Sequence, residues 1–167
     1  APDLESKQKN LKYIELEKMR LNATIRKGAF NPDGKDQDSE SIRTQKELHR
    51  SSVESLERQI SAKREELRSV QEERSHNASL LEMAKDREKR MKAVADIISK
   101  SEYERALNDV MTYGNNVQKL THKIGQLTNE IAYINESFRS TNLKEFSDKH
   151  KTATEIQAEI DKTTFRN

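Results

Sequence analysis

The residues best suited to chemistry are four histidines: His49, His76, His122 and His150. An imidazole becomes a general base or a metal ligand only when a second functional group stands within bonding distance. No two of the four lie at i, i+3 or i+4, and no His-Glu-x-x-His run occurs. They read as surface or seam histidines. Glu65-Glu66 and Glu72-Glu73 are adjacent carboxylates. Neighbours in sequence do not face each other on a helix, so paired acid–base work is not implied. The chain has 0 cysteines, which removes disulfides, Cys-ligated zinc and thiol nucleophiles. Serines and threonines are plentiful but have no organised base, and no phosphate-binding loop or nucleophile elbow is present.

One loop has metal-like spacing. Asp33-Gly-Lys-Asp36-Gln-Asp38-Ser-Glu40 resembles a calcium loop, which needs oxygen donors at positions 1, 3, 5 and 12 and Gly at 6. Placing Gly34 at position 6 puts Asn31, Asp33 and Glu40 at donor positions but Ala29 at the first. The first ligand is missing, and a polar turn followed by a helix cap explains the same residues. No catalytic residue, metal ligand or cofactor is therefore expected. Three Asn-x-Ser/Thr sequons, at Asn22, Asn77 and Asn135, are about what chance supplies.

Phe30 and Tyr113 each sit beside a chain-breaking turn signal. With Asp33 and Asn115 they are the candidate partner-binding residues, although packing competes with anchoring for the two aromatic rings. Lysines and arginines (31) nearly balance aspartates and glutamates (29), for a net charge of +2. That is too little for a whole-chain argument about nucleic acid. The densest basic cluster, Lys85 to Lys92, has Asp86 and Glu88 inside it and reads as a solvated helix face.

What positions these residues is a particular composition. Of 167 residues, 32% are hydrophobic and 36% charged, with only 4 Gly and 2 Pro. Compact domains carry more apolar and less charged residue. Thin helices, which bury one narrow stripe, fit; β-sandwiches, Rossmann domains and deep-pocketed enzymes fit poorly. No run of 18 apolar residues exists, so no spanning segment is expected.

Three helices are expected, separated by two interruptions. The first covers 1–27, with seam residues Leu11, Ile14, Leu21 and Ile25 at heptad spacing. A polar turn covers 28–38, marked by Asn-Pro and Asp-Gly. A long central helix covers 39–112, with Val53, Leu56, Ile60, Leu67 and Val70 in phase, and spans about 110 Å. Lys63, Arg74, Asn77 and Glu88 occupy seam positions in that phase. A tight turn is expected at 113–116, around Gly114. The third helix covers 117–162, seamed by Leu120, Ile124, Leu127, Ile131, Ile134 and Phe138, and a tail covers 163–167. After Phe138 the spacing slips, resuming at Leu143, Phe146 and His150.

The expected architecture is an all-α elongated coiled coil: two antiparallel hairpins sharing the long central helix, with Ile14 beside Val53, Leu11 beside Leu56 and His150 beside Asn77. Polar seam residues weaken such a structure while fixing its register. The expected function is non-enzymatic: a spacer, tether or scaffold working through contacts with other proteins, itself as a homo-oligomer included. Composition of this kind occurs in cytoskeletal, motor, secretion and chromosome-organising assemblies. The alternative is a membrane-surface module using lysines near 85–92 and 144–151 on anionic lipid. An intracellular, cytoplasmic setting is expected.

Overall fold

A computed structural model describes residues 2–32 and 38–166. The protein is all-α: α1 is Pro2–Arg26, α2 is Ser39–Ala93 and α3 is Lys100–Arg166. No strand occurs among the described residues. Contacts divide the chain into unit 1, Ala1–Gln59 with Tyr133–Asn167, and unit 2, Ile60–Ala132.

Local chemistry sets the helix ends. Asp3 and Glu5 place negative charge on the first turn of α1, where the helix dipole favours it. At the other end the Lys27 amide donates to Thr24 O at 3.1 Å and the Gly28 amide to Ala23 O at 3.0 Å. This is the six-to-one and five-to-two pairing of a Schellman cap. The left-handed residue is Lys27, at φ 54°, one position before the glycine expected to end the helix. α2 starts on Asp38, whose carboxylate accepts from the Ser41 amide at 2.7 Å and the Ser41 hydroxyl at 3.0 Å. These donors favour the charged form and hold the Asp38 carboxyl below its ordinary value.

The second break lies elsewhere than the sequence suggested. α2 ends at Ala93 rather than 112, the connection is 94–99, and residues 113–116 lie inside α3. Val94 N and Ala95 N donate to Met91 O and Lys92 O, closing the last turn of α2. Ser99 then opens α3 by accepting from the Glu102 amide at 3.2 Å. Gly114 adopts ordinary negative φ. A glycine costs a helix about 1 kcal/mol. Breaking there would interrupt a stripe (Ala106, Val110, Tyr113, Val117, Leu120) in which every residue is buried or half-buried. The stripe outweighs the glycine.

Within unit 2, α2 and α3 run antiparallel: residue numbers fall on one helix as they rise on the other. All four polar seam residues find partners across the pair. Glu88 accepts from the Tyr103 hydroxyl at 3.0 Å, Asn77 from Asn116 at 3.1 Å, Arg74 donates to Thr121 at 2.7 Å, and Lys63 lies 2.9 Å from Glu130. The Asn77–Asn116 pair is the type of seam contact that fixes register. Asn77 therefore meets Asn116, not His150 as expected. Ile60, Ala84, Ala106 and Leu127 are the buried apolar residues of this unit.

Unit 1 adds α1, and its direction corrects the expected first hairpin. Arg20 donates to Gln45 at 2.6 Å and Thr24 lies 2.9 Å from His49, both 25 positions apart in sequence. A constant offset means that α1 runs parallel to α2. Against α3 it runs antiparallel: Lys7 pairs with Glu159, Glu17 with Lys149, and Lys27 with Asn135. Sequence alone left this open because the 28–38 segment is long enough either to turn back or to return alongside α1. Packing against two helices widens the buried face of α1. Leu16, Ala23, Arg20 and Thr24 are buried beside the expected Ile14 and Leu21. Every other seam residue named from the sequence, from Leu11 to Phe138, is buried or half-buried. The slip in α3 is a run of three consecutive four-residue steps, Ile134 to Phe138 to Asn142 to Phe146, with Leu143 turned outward at 41% exposure.

Candidate functional site

Three of the four partner-binding candidates lie among the described residues, and none of those three stands at a chain turn's exposed surface. Phe30 is buried with Leu16 and Ala23, Ile42 packs against that cluster, and its ring lies 5.8 Å from His49. That ring is used for packing. Tyr113 is half-buried and Asn115 exposed, both within α3. Asp33 lies outside the described residues, as does most of the calcium-like loop. Among the described residues no His, Asp or Glu group is arranged to hold a metal. His49 is engaged by Thr24, His150 by Lys18 at 3.1 Å, and His76 and His122 are exposed.

In the basic clusters proposed for lipid, three of the eight side chains have carboxylate partners. Lys85 pairs with Glu82, Arg87 with Asp109, and Lys149 with Glu17. The Lys63–Glu130 pair is extended by Glu66 and Lys123. Hydrogen bonds from Lys63 and then Gln126 hold the Glu130 carboxyl below its ordinary value, while the same Lys63–Glu130 contact raises the Lys63 ammonium.

A different site emerges at the true connection. In the turn between α2 and α3, Ile97 is 85% exposed and Val94 41%. Connections are normally polar, because an exposed aliphatic side chain gains nothing from folding. Val94 and Ile97 fall outside the stripe that Met91 continues, so no seam claims them. Met83, Leu107 and Met111 are also exposed. Every exposed large apolar side chain of unit 2 thus lies between 83 and 111. Lys89, Arg90 and Lys92 precede the turn and are exposed, with Asp96 the only carboxylate from 89 to 101. The legible signal was Ser99-Lys-Ser-Glu102, the Ser-x-x-Glu pattern of a helix start, directly after an out-of-phase Val-Ala-Asp-Ile-Ile run.

Unit 1 contains a groove of about 640 Å³ between α2 and α3, floored by Leu56, Ile134 and Phe138 and edged by Ser51, Ser55 and Ser137. No α1 residue lines it; Glu145, one of its lining residues, lies 3.6 Å from the Arg20 guanidinium. No helix of the described residues is long and apolar enough to cross a membrane.

No family model matches the sequence, and no curated protein is significantly similar to it. Among solved structures, the chain is similar to the soluble domain of LipC, a membrane fusion protein of a type I secretion system. The TM-score is 0.55 and the identity 15%, over 99% of this chain and 89% of that one. At such identity the likeness is one of fold.

Proposed function

We propose that this chain is a non-enzymatic scaffold or tether, acting through protein–protein contacts, and that the turn 94–99 is where it engages a partner protein. The observation that carries this reading is the 85% exposure of Ile97 on the connecting turn, where no packing requirement explains it. An isolated aliphatic knob with a second one, Val94, beside it suits a complementary pocket on a folded partner. The fold likeness to a membrane fusion protein of a secretion system supports an adaptor role within a larger assembly.

The test is site-specific photocross-linking. A photoreactive side chain at position 97 yields one protein adduct of defined mass, which disappears when Val94→Ser is added. The same probe at Glu57, on the exposed face of α2, yields none. Equal adducts from both positions would refute the site. So would co-sedimentation with phosphatidylserine-rich vesicles, lost on Ile97→Ser, in the absence of any protein adduct.

A further inference from the structure

The direction of α1 is not forced by its connection. From Lys27 to Asp38 the chain can stretch up to about 36 Å. Seating α1 parallel requires a return of only about 20 Å, because Asp38 then lies level with position 13 of α1. Turning straight back would be easier still. The apolar pattern does not decide either: a reversed α1 still sets Ile14 against Val53 and Leu11 against Leu56. Reach and heptad spacing therefore leave the direction to contacts between particular side chains, the Phe30–Leu16–Ala23–Ile42 cluster among them.

Among the contacts that close only in that direction, Thr24–His49 included, one group is both polar and buried. Arg20 is 6% exposed and Gln45 1%. The Gln45 carbonyl accepts from Arg20 Nε at 2.6 Å, and its amide donates to the Tyr13 hydroxyl at 3.1 Å. Arg20 Nη2 also lies 3.6 Å from Glu145 Oε1, which brings in α3. The buried amide of Gln45 thus has both its oxygen and its nitrogen engaged, and the buried guanidinium has a carboxylate. With α1 reversed, Gln45 would face Asn22, Arg20 would face Glu47, and Tyr13 would move two turns away. Sliding a parallel α1 by one heptad sets Arg20 against Ser52 or Asp38, again separating it from Gln45.

We infer that the Arg20–Gln45–Tyr13 belt, braced by Glu145, is the device that selects the parallel seating of α1 on α2 and α3. Buried polar contacts of this kind add little net stability, yet they disfavour arrangements that separate them, as reversal does by setting the buried Arg20 and Gln45 against the exposed-face residues Glu47 and Asn22 and moving Tyr13 away. Seam burial supplies the affinity of α1 for its seat, and the belt supplies the direction.

Spin labels on Glu5→Cys and Glu57→Cys test this, and the absence of native cysteine keeps the labels unique. In the parallel seating the two positions are about 40 Å apart along the helices; reversal brings them below about 20 Å. The unmodified belt gives one long distance. In Arg20→Leu/Gln45→Leu, the ratio of long to short populations falls from above about 50:1 to below about 10:1, a change of at least fivefold. A single long distance in that variant overturns the inference. A broad distribution without either peak also overturns it, because the belt would then supply affinity rather than direction. If the double variant does not unfold cooperatively, the same measurement on Gln45→Met decides. That variant keeps the volume at position 45 and leaves Arg20 with Glu145, and it should show a smaller but resolved short-distance population.

Discussion

Replacing Gly114 with alanine gives the sharpest test of where this chain turns. In α3 the residue has helical φ, and a Cβ built on it would meet Leu81 Cδ1 at 3.9 Å, an ordinary van der Waals contact. Nothing needs to move. Removing the backbone entropy cost of glycine in a helix interior gains about 1 kcal/mol. For a chain of this length that raises Tm by about 2–4 °C. Were 113–116 instead a tight connection with glycine in the left-handed region, alanine would cost about 1–2 kcal/mol. The sign therefore separates the two chain paths. Gly125→Ala is the internal reference: it lies in the same helix with nothing within 4 Å of the added methyl, so it reports propensity without contact. Equilibrium urea unfolding followed by far-ultraviolet circular dichroism measures both. A midpoint that falls for Gly114→Ala while it rises for Gly125→Ala would refute the helical assignment.

Two further outcomes follow from the helix ends and from unit 2. Ser99→Ala removes the acceptor for the Glu102 amide and should cost about 1 kcal/mol, read as a lower urea midpoint; Ser61→Ala, on the exposed face of α2, serves as the comparison. Acid should weaken the fold through carboxylates held below their ordinary values, Glu130 by Lys63 and Asp38 by Ser41. A depressed carboxyl contributes stability that is fully present above its unfolded value and is lost as pH falls through its folded one. The urea midpoint is thus insensitive to these two groups from pH 7 down to about 5 and declines below about 4. Glu130→Gln and Asp38→Asn should each flatten that decline, and an acid limb unchanged in both variants would contradict the assignment.

How legible the molecule was depended on which force wrote each feature. Heptad spacing revealed the stripe of α2 and α3 because a helix burying one narrow face must repeat apolar residues at that step; Leu56, Ile60 and Leu127 are buried where the spacing put them. The polar residues at Lys63, Arg74, Asn77 and Glu88 were visible as interruptions, but their partners were not, since partner identity depends on register. The turn was misplaced because Tyr-Gly-Asn-Asn has strong local turn chemistry while Val-Ala-Asp-Ile-Ile-Ser has little. Burial along α3 overrode the glycine, and a serine cap opened the helix where punctuation was weak. The exposed Ile97 was missed for the same reason: its interest depends on knowing that it sits on a connection.

Composition and periodicity by themselves determined that this protein is helical and seamed on narrow stripes. Those properties are local or averaged, so one chain's worth of residues carries them. Tertiary structure alone decided the direction of α1, the position of the α2–α3 turn and the burial of Phe30, Arg20 and Gln45. Each of these arises from contacts between segments far apart in sequence, and apolar stripes of equal spacing fit more than one of the possible pairings.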